Sequence, residues 1–293
     1  MARLPPWIRL KMSTEGDFAS IHNLVSDLSL HTVCQSARCP NIHECWGHGT
    51  ATLMLLGDVC TRDCAFCAIQ AGRPLTLDAG EPERVAEAAS RMDLKHVVLT
   101  SVARDDLEDG GSAIFAATIR AIRRLLPHAS IEVLTPDFEG REASQEAVLK
   151  AAPDVYNHNV ETVRSLQAAI RPQASYGRSL GVLKRASEWD PPPVVKSGIM
   201  LGLGETEHEL VQTMRDLYSV GCRLLTLGQY LQPTRHHAAV VEYVPPEEFE
   251  RFALIAKDLG FLGVASGPMV RSSYHAEELL AEARGERAFR IPG

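Results

Sequence analysis

No stretch of the 293-residue chain approaches the roughly 20 consecutive apolar residues that a membrane-spanning helix needs. Residues 1–17 mix charges and prolines where a secretory leader carries an apolar run, so the expectation is a cytoplasmic protein without membrane contact. Basic residues are in deficit, with 30 Lys and Arg against 37 Asp and Glu and a formal net charge of −7. A nucleic-acid groove gathers Lys and Arg on one face, and this balance argues against one. There is no phosphate-cradling Gly-Lys-Ser loop, no nucleophile elbow and no zinc-peptidase spacing among the histidines. Low-complexity tracts and linkers long enough to set off a second domain are also missing. A disulfide framework is not expected, because a cytosolic compartment keeps thiols reduced and a hydrophobic fraction of 45% supplies a core without staples. The grouping of the seven cysteines therefore calls for metal or redox chemistry.

What the chain does have is rhythm. Short apolar runs alternate with helical patterns, the signature of repeated βα units and a parallel sheet. Strands are expected over 51–56, 96–102, 131–134, 155–160, 194–201 and 224–231. Helices are expected over 81–92, 112–126, 144–151, 179–189, 205–220 and 246–259, with Pro82 and Pro246 near first turns. A short apolar segment, 261–265, closes the pattern. Six units are too few for a closed eight-stranded barrel. The expected class is α/β, a partial parallel (β/α)6 barrel with functional groups at the C-terminal ends of its strands, and a doubly wound open sheet is the rival. Residues 1–49 lack the βα rhythm, although Phe18, Ile21, Leu24, Val25 and Leu28 give one amphipathic helix. They read as an N-terminal arm, with the barrel over 50–265 and a C-terminal extension over 266–293.

Cys60, Cys64 and Cys67 follow the first expected strand with three and two residues between them. A loop this tight can turn three thiolates toward one centre. Soft thiolates suit zinc or an iron–sulfur cluster, and the paired two-residue gaps of a zinc ribbon are missing. A four-iron cluster normally takes four thiolates, so a triplet leaves one iron open to another ligand. Cys34, Cys39 and Cys45 form a second triplet with gaps of four and five. On spacing alone, a zinc knot stapling the arm or three incidental buried thiols stand beside a second cluster. Cys222 is isolated and reads as an inert core thiol. His236 and His237 are adjacent, face different ways on any regular element, and read as satisfied or solvated.

The Cys-x-x-x-Cys-x-x-Cys loop resembles the radical S-adenosylmethionine superfamily. In that superfamily the open iron chelates the methionine moiety, and an electron from the cluster releases a 5′-deoxyadenosyl radical. Phe66 matches the aromatic position near the adenine, with core packing as the plain alternative. The run HTVCQSARCPNIHECW over 31–46, the run Arg271, Ser272, Ser273, Tyr274 and the strand end Leu55, Leu56, Gly57 resemble the motifs of the lipoyl synthases within the superfamily. The resemblance spans residues 6–275. It implies two 4Fe–4S clusters and S-adenosylmethionine as cofactors, with Cys34, Cys39, Cys45 and Ser273 holding the auxiliary cluster. A hydroxyl is a harder and poorer partner for iron than a thiolate, which suits a cluster that must open. The resemblance further implies that this cluster provides two sulfur atoms, inserted at C6 and C8 of an octanoyl chain on a lysine. The carrier would be a lipoyl carrier domain or the glycine-cleavage H protein, the electron donor a reduced ferredoxin or flavodoxin, and the enzyme a monomer.

Gly198, Met200, Gly202 and Glu205 fit the superfamily's Gly-x-Ile-x-Gly-x-x-Glu pattern, with Met200 in place of Ile. There an apolar side chain supports the adenine and glycine admits close backbone approach. Gly202 and Gly204 fit equally well a turn into a helix whose N-terminus Glu205 favours. Thr100 and Ser101 end the second strand, and Arg104, Asp105, Asp106, Asp109, Gly110 and Gly111 follow. Thr100, Ser101 and Asp105 are candidates for the methionine ammonium, a solvated helix cap being the alternative. Asn159 and Glu161 are candidates for the ribose hydroxyls and Arg178 for the methionine carboxylate, each with a surface or capping alternative. Rival functions are a biotin synthase-like sulfur inserter, a methylthiotransferase, which would be expected to bring a nucleic-acid-binding appendage, and a non-catalytic cluster or zinc protein.

Overall fold

A left-handed turn launches the cysteine loop. In the computed structural model, which describes residues 4–9, 18–47 and 50–286, Leu56 and Gly57 sit at φ 70 and 86 directly after the first long strand. The expected arm boundary at 49, most of the leader stretch and the end of the C-terminal segment lie outside the described residues. A buried leucine in the left-handed region is costly. It is held there by its own N–H, which donates to both carboxyl oxygens of Glu81 at 3.1 and 2.9 Å.

The chain forms two compact units, one of Leu10–Asp63 and Ala68–Val155, the other of Met1–Arg9, Cys64–Cys67 and Tyr156–Gly293. In the former, α1 (Phe18–Asp27) buries Ile21 and Val25, the face that the apolar spacing predicts. The arm continues through β1 (His31–Thr32), α2 (Val33–Ser36) and α3 (Ile42–Gly47). β1 pairs antiparallel with β2 (Thr52–Leu55), where His31 faces Met54. Next come the short parallel pair β3 (Val59–Cys60) and β4 (Gln70–Ala71), then α4 (Glu81–Arg91) with Pro82 in its first turn. β5 (His96–Ser101) lies parallel to β2 and to β6 (Ser130–Leu134), with α5 (Ser112–Leu125) between them in sequence and α6 (Glu142–Leu149) after. Every residue of β2 is buried, as in a parallel strand covered on both faces.

At β7 (Val155–Asn157) the chain passes into the other unit. There follow α7 (Gln167–Ile170), α8 (Tyr176–Ser187), β8 (Val194–Leu201), α9 (Glu207–Ser219), β9 (Leu224–Gln229), α10 (Pro246–Asp258), β10 (Gly263–Gly267) and α11 (Ala276–Ala283). β9 is parallel to both β8 and β10. The strand expected over 155–160 ends at Asn157. Beyond it, the His158 N–H reaches the Lys196 carbonyl at 3.1 Å and Glu161 bridges to Ile199, but Val160 donates to the Ser197 hydroxyl at 3.2 Å and leaves the ladder. The helix expected from 205 starts at Glu207, because Thr206 takes the N-cap and closes a capping box with Glu209. The closing apolar segment is a full strand displaced by two residues, with Phe261 packed on the Tyr218 ring instead of in the ladder. No described helix is long and apolar enough to cross a membrane.

Candidate functional site

The arm triplet is set by two short helices and the turn between them. Thr32 caps α2, its hydroxyl accepting from the Gln35 N–H at 3.3 Å, and Cys34 occupies the helix's second position. Arg38 is left-handed at φ 52, which folds the chain back so that the Cys39 N–H meets the Cys34 carbonyl at 2.9 Å. α3 carries Cys45, whose N–H meets the Asn41 carbonyl at 2.9 Å. Burial pushes the Cys45 thiol up to about 12, and negative charge at Cys39 and then Cys34 adds to the rise. Burial likewise raises Cys34, the Thr52 N–H pulls it back, and Cys39 raises it further. The three thiols thus lie within electrostatic reach of one another, and as thiolates they call for a cationic centre between them. Among the described residues, no group of three or more His, Cys, Asp and Glu is placed to hold a single metal ion.

In the same unit, the Cys60 sulfur accepts from the Arg62 N–H at 3.4 Å and the Ala103 N–H at 3.3 Å. Asp105 meets Arg62, not open space. The guanidinium holds both its carboxyl oxygens, at 2.7 and 2.8 Å, and reaches Asp137 at 2.6 Å. Arg104 grips Asp106 through two contacts of 2.9 Å, and Asp109 caps α5 through the Gly111 and Ala113 N–H groups. Thr100 donates to the Leu134 carbonyl at 3.1 Å, whereas the buried Ser101 hydroxyl has no hydrogen-bond partner among the described residues.

In the other unit, Phe66 and Met200 pack against one apolar cluster of Ile170, Leu203 and Tyr230, so these two expected adenine contacts do come together. Asn159 donates to the Ser272 hydroxyl at 2.6 Å while its own Oδ1 is buried without a partner. A ligand hydroxyl would satisfy that oxygen. Glu161 is left-handed at φ 65, locked by Glu161 N–H to the Gly198 carbonyl at 3.0 Å and Met200 N–H to the Glu161 carbonyl at 2.8 Å. Burial raises its carboxyl above the usual range, and Arg171 opposes the rise. Gly202 lies at φ 94, where a Cβ would fall 2.3 Å from Gln229 Nε2 and from the Glu242 carbonyl. Glu205 closes this turn, accepting from the Gly202 and Leu203 N–H groups at 2.6 and 2.9 Å. Arg178 donates to the Gln173 carbonyl at 3.3 Å, in the loop that precedes its own helix. Ser273 is half-buried in the turn closed by the Tyr274 N–H on the Arg271 carbonyl at 2.9 Å. Neither Arg62 nor Arg171 belongs to a motif that sequence reasoning singles out. Arg171 is buried and donates to the Asn159 and Val160 carbonyls, both at 3.1 Å, under the Asn159–Glu161 bend. A charged residue beside the apolar Ile170 was the available signal.

The profile of the radical S-adenosylmethionine superfamily matches residues 54–217, and that of the N-terminal domain of lipoyl synthase matches residues 1–39. A lipoyl synthase of Rubrobacter xylanophilus is 54% identical over 280 residues, covering 96% of this chain and 87% of that one. The chain belongs to the lipoyl synthase family. Lipoyl synthases of Symbiobacterium thermophilum and Caldanaerobacter subterraneus are each 52% identical, covering 98% and 97% of this chain. Those matches span 90% and 99% of the two relatives. Membership makes the chain a radical S-adenosylmethionine enzyme of the sulfurtransferase kind, with a 4Fe–4S cluster and S-adenosylmethionine as the superfamily's cofactors. Among solved structures, SuiB of Streptococcus suis bound to S-adenosylmethionine gives a TM-score of 0.55 at 13% identity over 82% of this chain and 57% of that one. Methylornithine synthase gives 0.53 at 13% identity, over 83% and 74%. At such identity the likeness concerns the fold alone, and the fold is the α/β partial parallel barrel expected from the sequence.

Proposed function

We propose that this lipoyl synthase family member inserts two sulfur atoms at C6 and C8 of an octanoyl chain in amide linkage to a lysine of a lipoyl carrier domain or a glycine-cleavage H protein. Cys60, Cys64 and Cys67 hold one 4Fe–4S cluster, and Cys34, Cys39, Cys45 and Ser273 hold the other. The observation that carries this is the arm triplet, which two short helices and the turn at Arg38 gather closely enough that charge at Cys39 adds to the burial that raises Cys34 and Cys45. An enzyme that only cleaved S-adenosylmethionine would need no second set of thiolates. When bound, the loop cluster supplies the electron for that cleavage and the arm cluster supplies sulfur.

The chain's own residues bind, orient and exclude water. Phe66 and Met200 offer the adenine an apolar wall, which keeps water from a radical. Asn159 Oδ1 and the Glu161 carboxyl accept from ribose hydroxyls, and Thr100 and the unpartnered Ser101 hydroxyl serve the methionine ammonium. Asp105 acts through Arg62, one of the three residues between Cys60 and Cys64, and Arg178, at the start of α8, would pair with the methionine carboxylate. Gly202 and Glu205 shape the turn beneath Met200. The arm (1–49), barrel (50–265) and C-terminal segment (266–293) remain the functional division. The protein works as a cytoplasmic monomer fed by a reduced ferredoxin or flavodoxin.

The test is an octanoyl-lysyl peptide incubated with reconstituted protein and read by mass spectrometry. Gain of two sulfur atoms is expected; cleavage of S-adenosylmethionine without sulfur gain would sink the proposal. Ser273→Ala should still form 5′-deoxyadenosine while sulfur insertion falls at least tenfold, on the order expected for a lost metal-site partner.

A further inference from the structure

We infer that His237 is a positioning residue for the cysteine loop, pinning the main chain at Cys67 in a tautomer that Thr234 supports. The inference rests on the reading of Cys67 as a cluster ligand.

His237 Nε2 lies 2.9 Å from the Cys67 carbonyl oxygen, a contact between residues 170 apart in sequence. A carbonyl can only accept, so Nε2 carries the proton. The other ring nitrogen, Nδ1, is then an acceptor, and the Thr234 hydroxyl stands 2.8 Å away to donate to it. The carbonyl thus requires the proton on Nε2, and the threonine hydroxyl, by donating, satisfies the nitrogen that is left bare. The segment carrying His237 is itself tied down on several sides. Gln232 Nε2 donates to the His237 carbonyl at 2.8 Å, and the Tyr230 hydroxyl donates to the Ala238 carbonyl at 2.7 Å. The Ala238 N–H donates to the Ala65 carbonyl at 2.8 Å, and the Ala65 N–H to the Ile170 carbonyl at 2.9 Å. Between Ala65 and Cys67 lies Phe66, and the Cys67 N–H closes the turn on Cys64 at 3.0 Å. Two anchors, at residues 65 and 67, therefore fix the direction in which the Cys67 side chain leaves the backbone. His236 offers the contrast, its side chain exposed and its N–H on the Thr234 hydroxyl at 3.3 Å. A partner that orients a metal-binding residue typically changes affinity or activity by 10–100-fold when removed.

The experiment uses anaerobically reconstituted full-length protein carrying His237→Ala, His237→Gln or Thr234→Val, with Cys67→Ala as control. Glutamine places an amide Nε2–H where the imidazole had its own. Electron paramagnetic resonance of the reduced protein, with and without S-adenosylmethionine, is read beside KM and kcat for 5′-deoxyadenosine formation. His237→Ala should weaken the spectral change caused by S-adenosylmethionine and raise its KM roughly tenfold, with a smaller effect on kcat. His237→Gln should recover most of both, and Thr234→Val should fall between. A wild-type spectrum and KM in His237→Ala overturns the inference, as does failure of glutamine to improve on alanine. If His237→Ala does not fold, Thr234→Val decides, because an unchanged KM and spectrum there overturn the role of the tautomer. A Cys67→Ala protein that keeps the S-adenosylmethionine-dependent spectral change would overturn the ligand reading itself, a separate outcome.

Discussion

Arg62 is a buried cation between two cysteines of the loop, and its guanidinium forks across Asp105 and Asp137. Burial works against its charge, but the hydrogen bonds it donates to the two carboxylates outweigh that and raise its pKa. Removing one member of such a group leaves an uncompensated charge, so Arg62→Ala should lower stability by about 3 kcal/mol or more in urea denaturation. Arg62→Lys should recover only part of this, since an ammonium cannot reproduce the fork. Glu81 makes a different case. Burial raises its carboxyl above the ordinary value of about 4.3, while the N–H groups of Leu56 and Gly57 pull it back. A carboxyl with a raised folded-state pKa contributes its stability in full below the unfolded value and loses it as pH climbs through the folded one. The stability lead of the wild type over Glu81→Gln should therefore shrink as pH rises above the ordinary carboxyl value of about 4.3, measured by calorimetry on cluster-free protein. A lead that grows would contradict the assignment.

Elements are positioned by their ends. α9 begins two residues after Glu205, which closes the Gly202 turn, and the Thr206–Glu209 capping box sets that start. Thr206→Ala should cost about 1 kcal/mol in urea denaturation. If the turn and the helix start are coupled as the hydrogen bonds indicate, the KM for S-adenosylmethionine should rise alongside. Most elements were legible because their apolar period is local: β8 matches the expected 194–201, and α4, α5 and α10 end one residue short of expectation. The misses have physical causes. α2 and α3, of four and six residues, are too short to display a helical period, and their caps and the left-handed Arg38 define them instead. β7 stops early because the Asn159–Glu161 bend is held by Arg171 and by main-chain bonds to β8, neither of which a window of local sequence contains.

At the scale of the whole molecule, two cysteine groups with unequal duties should be separable by removing one at a time. Replacing Cys34, Cys39 and Cys45 together by alanine should halve bound iron, from about eight to about four atoms per chain for two four-iron clusters. 5′-Deoxyadenosine formation should continue. The same change at Cys60, Cys64 and Cys67 should also leave about four atoms but abolish that product. Equal loss of activity in both variants would argue against separate roles. The cysteine spacings, the parallel βα rhythm and the family's motifs were fixed by the sequence alone, because each is written within a few consecutive residues. Which carboxylate Arg62 grips, which carbonyl Arg171 supports and what His237 touches were decided only by the tertiary structure. Those partners lie 75, 12 and 170 residues away for Asp137, Asn159 and Cys67. A hydrogen bond depends on distances of a few tenths of an ångström, and only the packed chain brings such residues that close.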